Sequence, residues 1–372
     1  MGSAALSHGR YEAEMSLLRQ LVEIETPSGD TAASALIADV IAERMRELGG
    51  EVVLHETSNG VNLVADFAGS GEPLLLVGHT DTVWPVGTLA GRVPWSIVDG
   101  VVRGPGAYDM KAGITVMLAA LSRLQGAERR AVRIVLVCDE EIGSPTSQQL
   151  LREATDGCAG AIGFESPHPD GALKLGRRGS VRVRVDVTGR AAHAALDPEL
   201  GVSAVDELVD QLLRIREFVA APELQPVLCN VGTVSGGTRA NVVPDAASAE
   251  IGLRFVNAET EQTVLDWISS LDPVREGAAV SAVRLSHRPT WQPSAADDAL
   301  LEQVRAAAGA VGQQIGARPA AGAGDTNLIG SLGIATLDGF GPAGGGAHAV
   351  DEHFRVESFG ERIELLTALL AL

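Results

Sequence analysis

Three continuous apolar runs, Leu74 to Val77, Val132 to Val137 and Ala161 to Phe164, constrain this chain more than any other feature. Each is short, apolar apart from Arg133, and free of the sustained apolar/polar alternation of a half-exposed strand, so each reads as a strand buried on both faces. Between the first two, Lys111 to Leu124 carries apolar residues at helical spacing. Strand and helix alternating in this way predict a largely parallel sheet covered by helices on both sides. Upstream, residues 11–48 read as helices around a Pro-Ser-Gly turn at Pro27, the second running from Thr31 to Leu48.

The pattern changes near Gly179. Val181 to Val187 alternates with a period of two, Val202 to Val219 is helical, and Val227 to Val234 is a strand. A strand at Ser248 to Phe255, a helix at Glu259 to Leu271 and a strand at Val280 to Leu285 complete a β-α-β-β-α-β order, the ferredoxin-like arrangement. A chain of 372 residues exceeds the usual size of one core. The expectation is therefore an α/β domain of residues 1–178 and 289–372, with an α+β domain inserted at 179–288. After Pro289 the sequence predicts a helix at Ala299 to Val311, a short strand at Ile334 to Leu337 between two Gly-rich loops, and a final helix from Ser358.

With 45% apolar residues and only 3% aromatic, the interior is filled by aliphatic side chains. The formal charge of -19 opposes binding to nucleic acid or to an anionic membrane, both being polyanions. Cys138, Cys158 and Cys229 are far apart and odd in number, which suits buried, reduced thiols better than disulfides or a thiolate zinc site. Met1 to Arg10 lacks the apolar core of a secretory leader and no 18-residue apolar run occurs, so the cytoplasm is the simplest location.

Five segments place His or acidic residues just after an apolar strand or in a Gly-rich turn. They are Gly78-His-Thr-Asp-Thr-Val83, Gly104-Pro-Gly-Ala-Tyr-Asp109-Met-Lys-Ala-Gly113, Val135-Leu-Val-Cys-Asp-Glu-Glu-Ile-Gly143, Ile162-Gly-Phe-Glu165 and Gly344-Gly-Gly-Ala-His348. In an extended segment side chains two apart share a face, so Asp81 can hold one imidazole nitrogen of His79 and aim the other at a metal. Asp109 taken alone reads first as a helix N-cap. Glu140 and Glu141, as extended neighbours, face opposite ways and so play different parts. Five such sites together at strand ends point to the carboxyl edge of an open α/β sheet, where ligands bind. Two His and three carboxylates suit a pair of borderline divalent ions such as zinc, the arrangement used to hydrolyse amides and phosphates. A glutamate left over beside the ligands can act as general base.

These segments, in this order across nearly the whole chain, resemble the metal-site motifs of the family that contains bacterial glutamate carboxypeptidase, acetylornithine deacetylase, succinyl-diaminopimelate desuccinylase and aminoacylase. The stretch Gly78 to Leu89 most resembles the glutamate carboxypeptidase branch. The resemblance implies two Zn2+ per subunit, with Co2+ or Mn2+ as substitutes: His79, Asp109 and Glu165 on one ion and Asp109, Glu141 and His348 on the other. It further implies Asp81 behind His79, Glu140 as base, and a cis peptide after Asp109. The inserted domain becomes a lid and dimerisation domain of a homodimer. In Gly189-Arg-Ala-Ala-His193-Ala, His193 matches the histidine that reaches the partner's active site and stabilises the oxyanion. Asn241, in Arg239-Ala-Asn-Val-Val-Pro244, and Arg254, in Gly252-Leu-Arg254-Phe, match residues gripping the substrate carboxylate, with Lys174 as a weaker candidate. Their alternative readings are an exposed loop histidine, a turn asparagine and an exposed strand arginine.

One departure concerns Arg318-Pro-Ala-Ala-Gly-Ala-Gly-Asp-Thr-Asn327, where the arginine that often precedes the Gly-rich segment in glutamate carboxypeptidases is displaced. Asp325 and Asn327 either shape a pocket or stabilise this loop, the loop reading being preferred, and His287 and His353 read as structural. The implied activity is hydrolysis of an amide in a small-molecule substrate, releasing a C-terminal amino acid. The alternative is an N-acyl-amino-acid deacylase or desuccinylase with the same chemistry. A non-catalytic binding protein would have lost ligands or base, and all are present. A cysteine hydrolase using Cys138 is disfavoured because an apolar strand raises a thiol pKa.

Overall fold

The computed structural model describes residues 11–371. The Met1 to Arg10 segment discussed above lies outside the described residues. The chain divides into two compact units: one holds the chain up to Gly176, Pro293–Ala320 and the segment from Gly324 onward, the other Arg177–Gln292 with Ala321–Ala323. The excursion read from the sequence as 179–288 thus corresponds to a unit a few residues longer at each end.

The first unit is built on a six-stranded sheet with the order Glu51–Thr57, Gly60–Phe67, Arg130–Val137, Ser70–His79, Gly160–Gly163, Thr336–Leu337. Its last four strands are parallel neighbours. Burial of both faces explains the unbroken apolar run from Leu74 to Val77: with period-two alternation Leu74 and Leu76 face one buried cluster, Leu75 and Val77 another on the opposite face. Truncating such a side chain, Leu76→Ala for instance, costs about 2–5 kcal/mol. Helix Ala112–Arg123 covers one face, and every residue from Ala112 to Leu121 is buried.

The edge formed by Glu51–Thr57 and Gly60–Phe67 was not anticipated from the sequence. These strands pair antiparallel through a tight turn in which Thr57 opposes Gly60. So short a link permits only antiparallel pairing, because a parallel crossover needs a dozen or more residues. A small four-stranded sheet of Ser96–Val98, Val101–Arg103, Gly344–Gly345 and His353–Arg355 was likewise missed, its strands being two or three residues long. Helix Ala295–Ala310 begins four residues before the expected Ala299, since Ser294 and Asp297 form a reciprocal capping box. The last helix is Val356–Leu370, two residues earlier than read.

In the second unit an antiparallel sheet has the order Val227–Gly236, Ala246–Phe255, Gly179–Thr188, Ala279–Arg288. With helices Ala204–Val219 and Ala258–Ser269 in the connections, this is the ferredoxin-like order. Val181, Val183, Val185 and Val187 are buried in the core of this unit, while Arg182 and Arg184 between them are exposed. Ser203 and Asn257 cap the two helices through their side-chain oxygens. Among the described residues no helix is long and apolar enough to cross a membrane.

Candidate metal centre

Because Ser70–His79, Arg130–Val137 and Gly160–Gly163 run parallel, their carboxyl ends share one edge of the sheet. His79 ends the first, Asp139 to Glu141 follow the second, and Glu165 follows the third. Asp109 arrives from outside the sheet on a turn, Ala107–Lys111, that precedes helix Ala112–Arg123. Gly106 is required for that turn: its φ is 69°, and a Cβ would lie 2.4 Å from Thr82 Cγ2. The Asp109–Met110 peptide is cis. Asp109 is not an N-cap, since the helix starts after Lys111 with no side-chain cap. Lys111 is buried and donates through Nζ to the Ile24 carbonyl at 2.8 Å.

The two oxygens of Asp109 face different histidines. His79 Nε2 lies 3.4 Å from Asp109 Oδ1 and 3.3 Å from Glu165 Oε1. His348 Nε2 lies 3.2 Å from Asp109 Oδ2 and 3.2 Å from Glu141 Oε2. These separations exceed the ~2.7–2.9 Å of a charge-assisted hydrogen bond. Two donors bound at about 2.0–2.1 Å to one tetrahedral ion stand about 3.3–3.4 Å apart. A second observation agrees with a cation: Glu141 Oε1 is buried with no hydrogen-bond partner. The donor set therefore fits divalent metal, nitrogen and oxygen ligands together being those of zinc and its neighbours.

The electrostatics express the same crowding. Burial works to lower the His79 pKa, but Asp109, Asp81 and Glu165 around it hold it well above the ordinary value. Asp109 and Glu141 push His348 up to about 10. Burial pushes Asp109 up, and the two imidazoles outweigh it, leaving its carboxyl well below the usual range. Glu165 is raised by burial and by the charge of Asp109. Such a cluster of acids demands compensating positive charge, from imidazolium protons or from metal. His348 sits at φ 63°, a left-handed conformation that costs a non-glycine residue about 1–2 kcal/mol and is imposed here at the site.

Asp81 is buried beneath this group and does more than the sequence implied. The nearer acceptor for His79 Nδ1 is the Asp81 main-chain oxygen at 2.9 Å, with carboxylate Oδ1 at 3.3 Å. The carboxylate also accepts from the backbone N–H groups of Glu140 at 3.1 Å and Glu141 at 3.2 Å, and from Ser28 Oγ at 2.6 Å. Glu140 and Glu141 are in a single 3₁₀ turn, Glu140–Ile142, so the expected extended geometry is corrected. They still diverge. Glu141 meets His348, while Glu140 has a carboxylate oxygen within 4.8 Å of donor atoms of His79 and Glu165.

His79, Glu140, Glu165 and Asp325 line one small cavity. Asp325 accepts from Ser144 Oγ at 2.5 Å, tying it to the glutamate turn, and Asn327 closes its own loop by accepting from Gly324 N at 2.9 Å. Arg318, on the surface, forms a bidentate pair with Asp170 at 2.7 and 3.0 Å. Lys174 pairs through its backbone with Asp338, whose side chain accepts from Thr326. Cys138 is buried and burial pushes its thiol up to about 11; Cys158 and Cys229 are only partly buried, less than expected, and all three are free. His353 Nδ1 meets the Asp351 carbonyl at 2.7 Å and His287 pairs with Glu261.

The second unit carries His193, Asn241 and Arg254. His193 Nδ1 accepts from the N–H groups of Ala195 at 3.2 Å and Leu196 at 3.1 Å, so the ring proton belongs on the exposed Nε2. Asn241 is in the adjoining loop, its carbonyl accepting from Ala194 N at 3.1 Å. Arg254 stands at the other end of strand Ala246–Phe255, paired with Ser180. At ~3.3 Å per residue, nearly the whole strand, about 26 Å, separates it from the Asn241 end. The unit brings His193 and Asn241 together and keeps Arg254 apart.

Sequence reading missed Glu352. It is fully buried and accepts from Trp84 Nε1 and from the N–H groups of Gly106, Tyr108 and Asp109. Its only sequence signal is position, four residues beyond His348. Asp139, the first acid of its triplet, is also buried and is spent on Asn59, Thr146 and Ser147.

A family model described as peptidase family M20/M25/M40 matches residues 75–372. Carboxypeptidase G2 of Pseudomonas sp. (strain RS-16) is 26% identical over 370 residues, covering 96% of this chain and 88% of that protein. Succinyl-diaminopimelate desuccinylase of Gluconacetobacter diazotrophicus is 28% identical over 381 residues, covering 96% of each. Among solved structures, a tripeptidase from Staphylococcus aureus superposes with a TM-score of 0.77 at 21% identity, over 96% of this chain and 97% of that one. That likeness speaks for the fold, and the match along the sequence for the chemistry. The chain belongs to peptidase family M20/M25/M40, and it is an enzyme of the metallopeptidase and amidohydrolase class that hydrolyses amide bonds.

Proposed function

We propose that this enzyme is a two-zinc hydrolase that releases a C-terminal amino acid from a peptidyl or N-acyl substrate. The observation that carries the reading is Asp109, each of whose oxygens faces a separate His/carboxylate pair. His79, Asp109 and Glu165 would hold one ion and Asp109, Glu141 and His348 the other. A pair of divalent ions supplies Lewis acidity to a carbonyl and to a water.

The chain's own residues do the rest. Glu140, beside the ligands but not needed to complete either set, takes the proton of the attacking water and returns it to the leaving nitrogen. Asp81 orients His79 and, through its two backbone acceptor contacts, fixes where Glu140 and Glu141 project. His193 presents Nε2–H to the developing oxyanion. Asn241 and Arg254 hold the substrate carboxylate, for which a planar guanidinium suits bidentate contact, and Lys174 is a further candidate. Since one chain cannot gather His193, Asn241 and Arg254 around one small molecule, we assign a homodimer in which the partner supplies the first two.

A second reading, an N-acyl-amino-acid deacylase or desuccinylase, is favoured by Arg318. The one arginine in the segment preceding Asp325 is engaged by Asp170, so it is not offered to a glutamate side chain, and a second guanidinium at this loop, Arg177, donates through Nε to the Gly322 carbonyl at 2.7 Å. A relative named as a desuccinylase matches over a similar length. A hydrolysis screen decides between them: N-acyl-glutamates, folate-like conjugates, dipeptides, and acetyl- or succinyl-amino acids, each with zinc or cobalt. Preference for peptidyl or aroyl amino acids upholds the carboxypeptidase reading, and preference for succinyl or acetyl donors overturns it.

A further inference from the structure

Glu352 is fully buried, and the reaction as drawn above gives it nothing to do. Its Oε1 accepts from Tyr108 N at 2.9 Å and Asp109 N at 3.2 Å, and its Oε2 from Gly106 N at 3.1 Å and Trp84 Nε1 at 2.6 Å. A carboxylate taken out of water is tolerated only when its lone pairs are filled, and here three of the four donors are backbone of one turn, the turn that carries Asp109. Glu352 is also fastened to the other side of the site. Its own N–H donates to the Ala349 carbonyl at 2.9 Å, so it closes the turn Ala349 to Glu352, which directly follows His348.

Glu352 therefore ties the Asp109 turn, through its side chain, to the turn that follows His348, through its backbone. Those two residues meet at a single contact, His348 Nε2 to Asp109 Oδ2 at 3.2 Å, and each is held in an unusual backbone conformation or beside one: His348 at φ 63°, Gly106 at φ 69°. Neither loop belongs to the six-stranded sheet; both leave the small sheet, where His353 pairs with Arg103, and beyond that pairing Glu352 is the side chain that holds the Asp109 turn beside the His348 loop. On the other side of Asp109 the matter differs, because His79 ends a strand and Glu165 follows one.

We infer that Glu352 is a positioning residue that sets the Asp109–His348 separation, and with it the half of the centre formed by Asp109, Glu141 and His348. This rests on the two-ion reading proposed above. Outer partners of metal ligands are typically worth about 10- to 100-fold in metal affinity or activity, and the effect here falls on one ion of two. Glu352→Gln is the informative change. It preserves volume but turns an NH₂ toward two of the four donors. Trp84→Phe is its control, removing the one donor that does not belong to the Asp109 turn.

Cobalt titration of metal-stripped protein, read by visible absorption and accompanied by urea unfolding and steady-state kinetics, makes the test. In wild type two cobalt ions bind; failure here defeats the two-ion reading itself and this inference with it. In Glu352→Gln the first ion binds within threefold of wild type, the second is weakened about 10- to 100-fold with altered bands, and kcat falls while KM stays within threefold. Trp84→Phe keeps both affinities. Unchanged cobalt binding in Glu352→Gln overturns the inference while leaving the two-ion reading intact. So does equal weakening of both ions, loss of the fold, or an equal defect in Trp84→Phe, since each assigns Glu352 to the general scaffold.

Discussion

Asp81→Asn separates the two jobs that Asp81 performs. The carboxylate is buried and receives the backbone N–H groups of Glu140 and Glu141, one on each oxygen, together with Ser28 Oγ. Asparagine keeps the shape and one acceptor, so one of the two amides must face an NH₂ group. The loss is one hydrogen bond to a charged acceptor, about 1.5–3 kcal/mol, plus an unpaired buried N–H, about 1–3 kcal/mol, with overlap between them. A fall in stability of about 3 kcal/mol follows. The turn bearing Glu140 and Glu141 then loses its anchor, and kcat/KM falls about 10- to 100-fold, or about 1.4–2.7 kcal/mol in the barrier. Metal content should survive better than rate, because the nearer acceptor for His79 Nδ1 is the Asp81 main-chain oxygen, which asparagine retains. Urea unfolding, metal analysis and kcat/KM under saturating metal provide the assay. A variant whose kcat/KM stays within threefold of wild type, or which loses metal while each loaded site turns over normally, would refute the reasoning.

Cys138→Ser should keep kcat within twofold of wild type. With its thiol pushed up to about 11 by burial, only about one molecule in a thousand carries a thiolate at pH 8; a tenfold loss of rate in the serine variant would revive a cysteine mechanism. His193→Ala and Glu140→Gln should each be inactive alone, while mixing them and allowing subunit exchange should restore part of the activity, since a mixed dimer assembles one intact site. No recovery after exchange has been verified would show that His193 acts within its own chain or not at all.

Much of the site was legible because its residues sit where sheet geometry puts ligands. His79, Glu141 and Glu165 follow buried parallel strands, and an apolar run ending in an acid is visible in sequence as such. Asp109 and His348 lie on loops, so the sequence showed them only as an acid in a Gly/Pro turn and a histidine after a glycine run, and their assignment to particular ions came from resemblance; the positive φ of Gly106 and Gly346 is seen only in the structure. Glu140 and Glu141 were told apart on an extended geometry that gives way to a 3₁₀ turn. Their divergence held through contacts with Asp81 and His348 that no local pattern encodes. Glu352 was invisible for a related reason: its four partners are backbone or indole N–H groups more than 240 residues away, and such a site leaves no mark on composition or spacing. The antiparallel edge, by contrast, did carry a turn signal that was passed over: Ser58-Asn59 form the two-residue link and Gly60 follows it.

The most direct test of the central claim is metal stoichiometry against turnover in one preparation. Wild type and Glu140→Gln, prepared without chelator, should each carry up to two divalent ions per chain; the first hydrolyses amide substrate, and the second loses about 10²–10⁴-fold in kcat. Stripping wild type with chelator should abolish activity, and zinc or cobalt should restore it as the second equivalent is added. Full turnover by metal-free protein, or wild-type turnover by Glu140→Gln, would contradict the account.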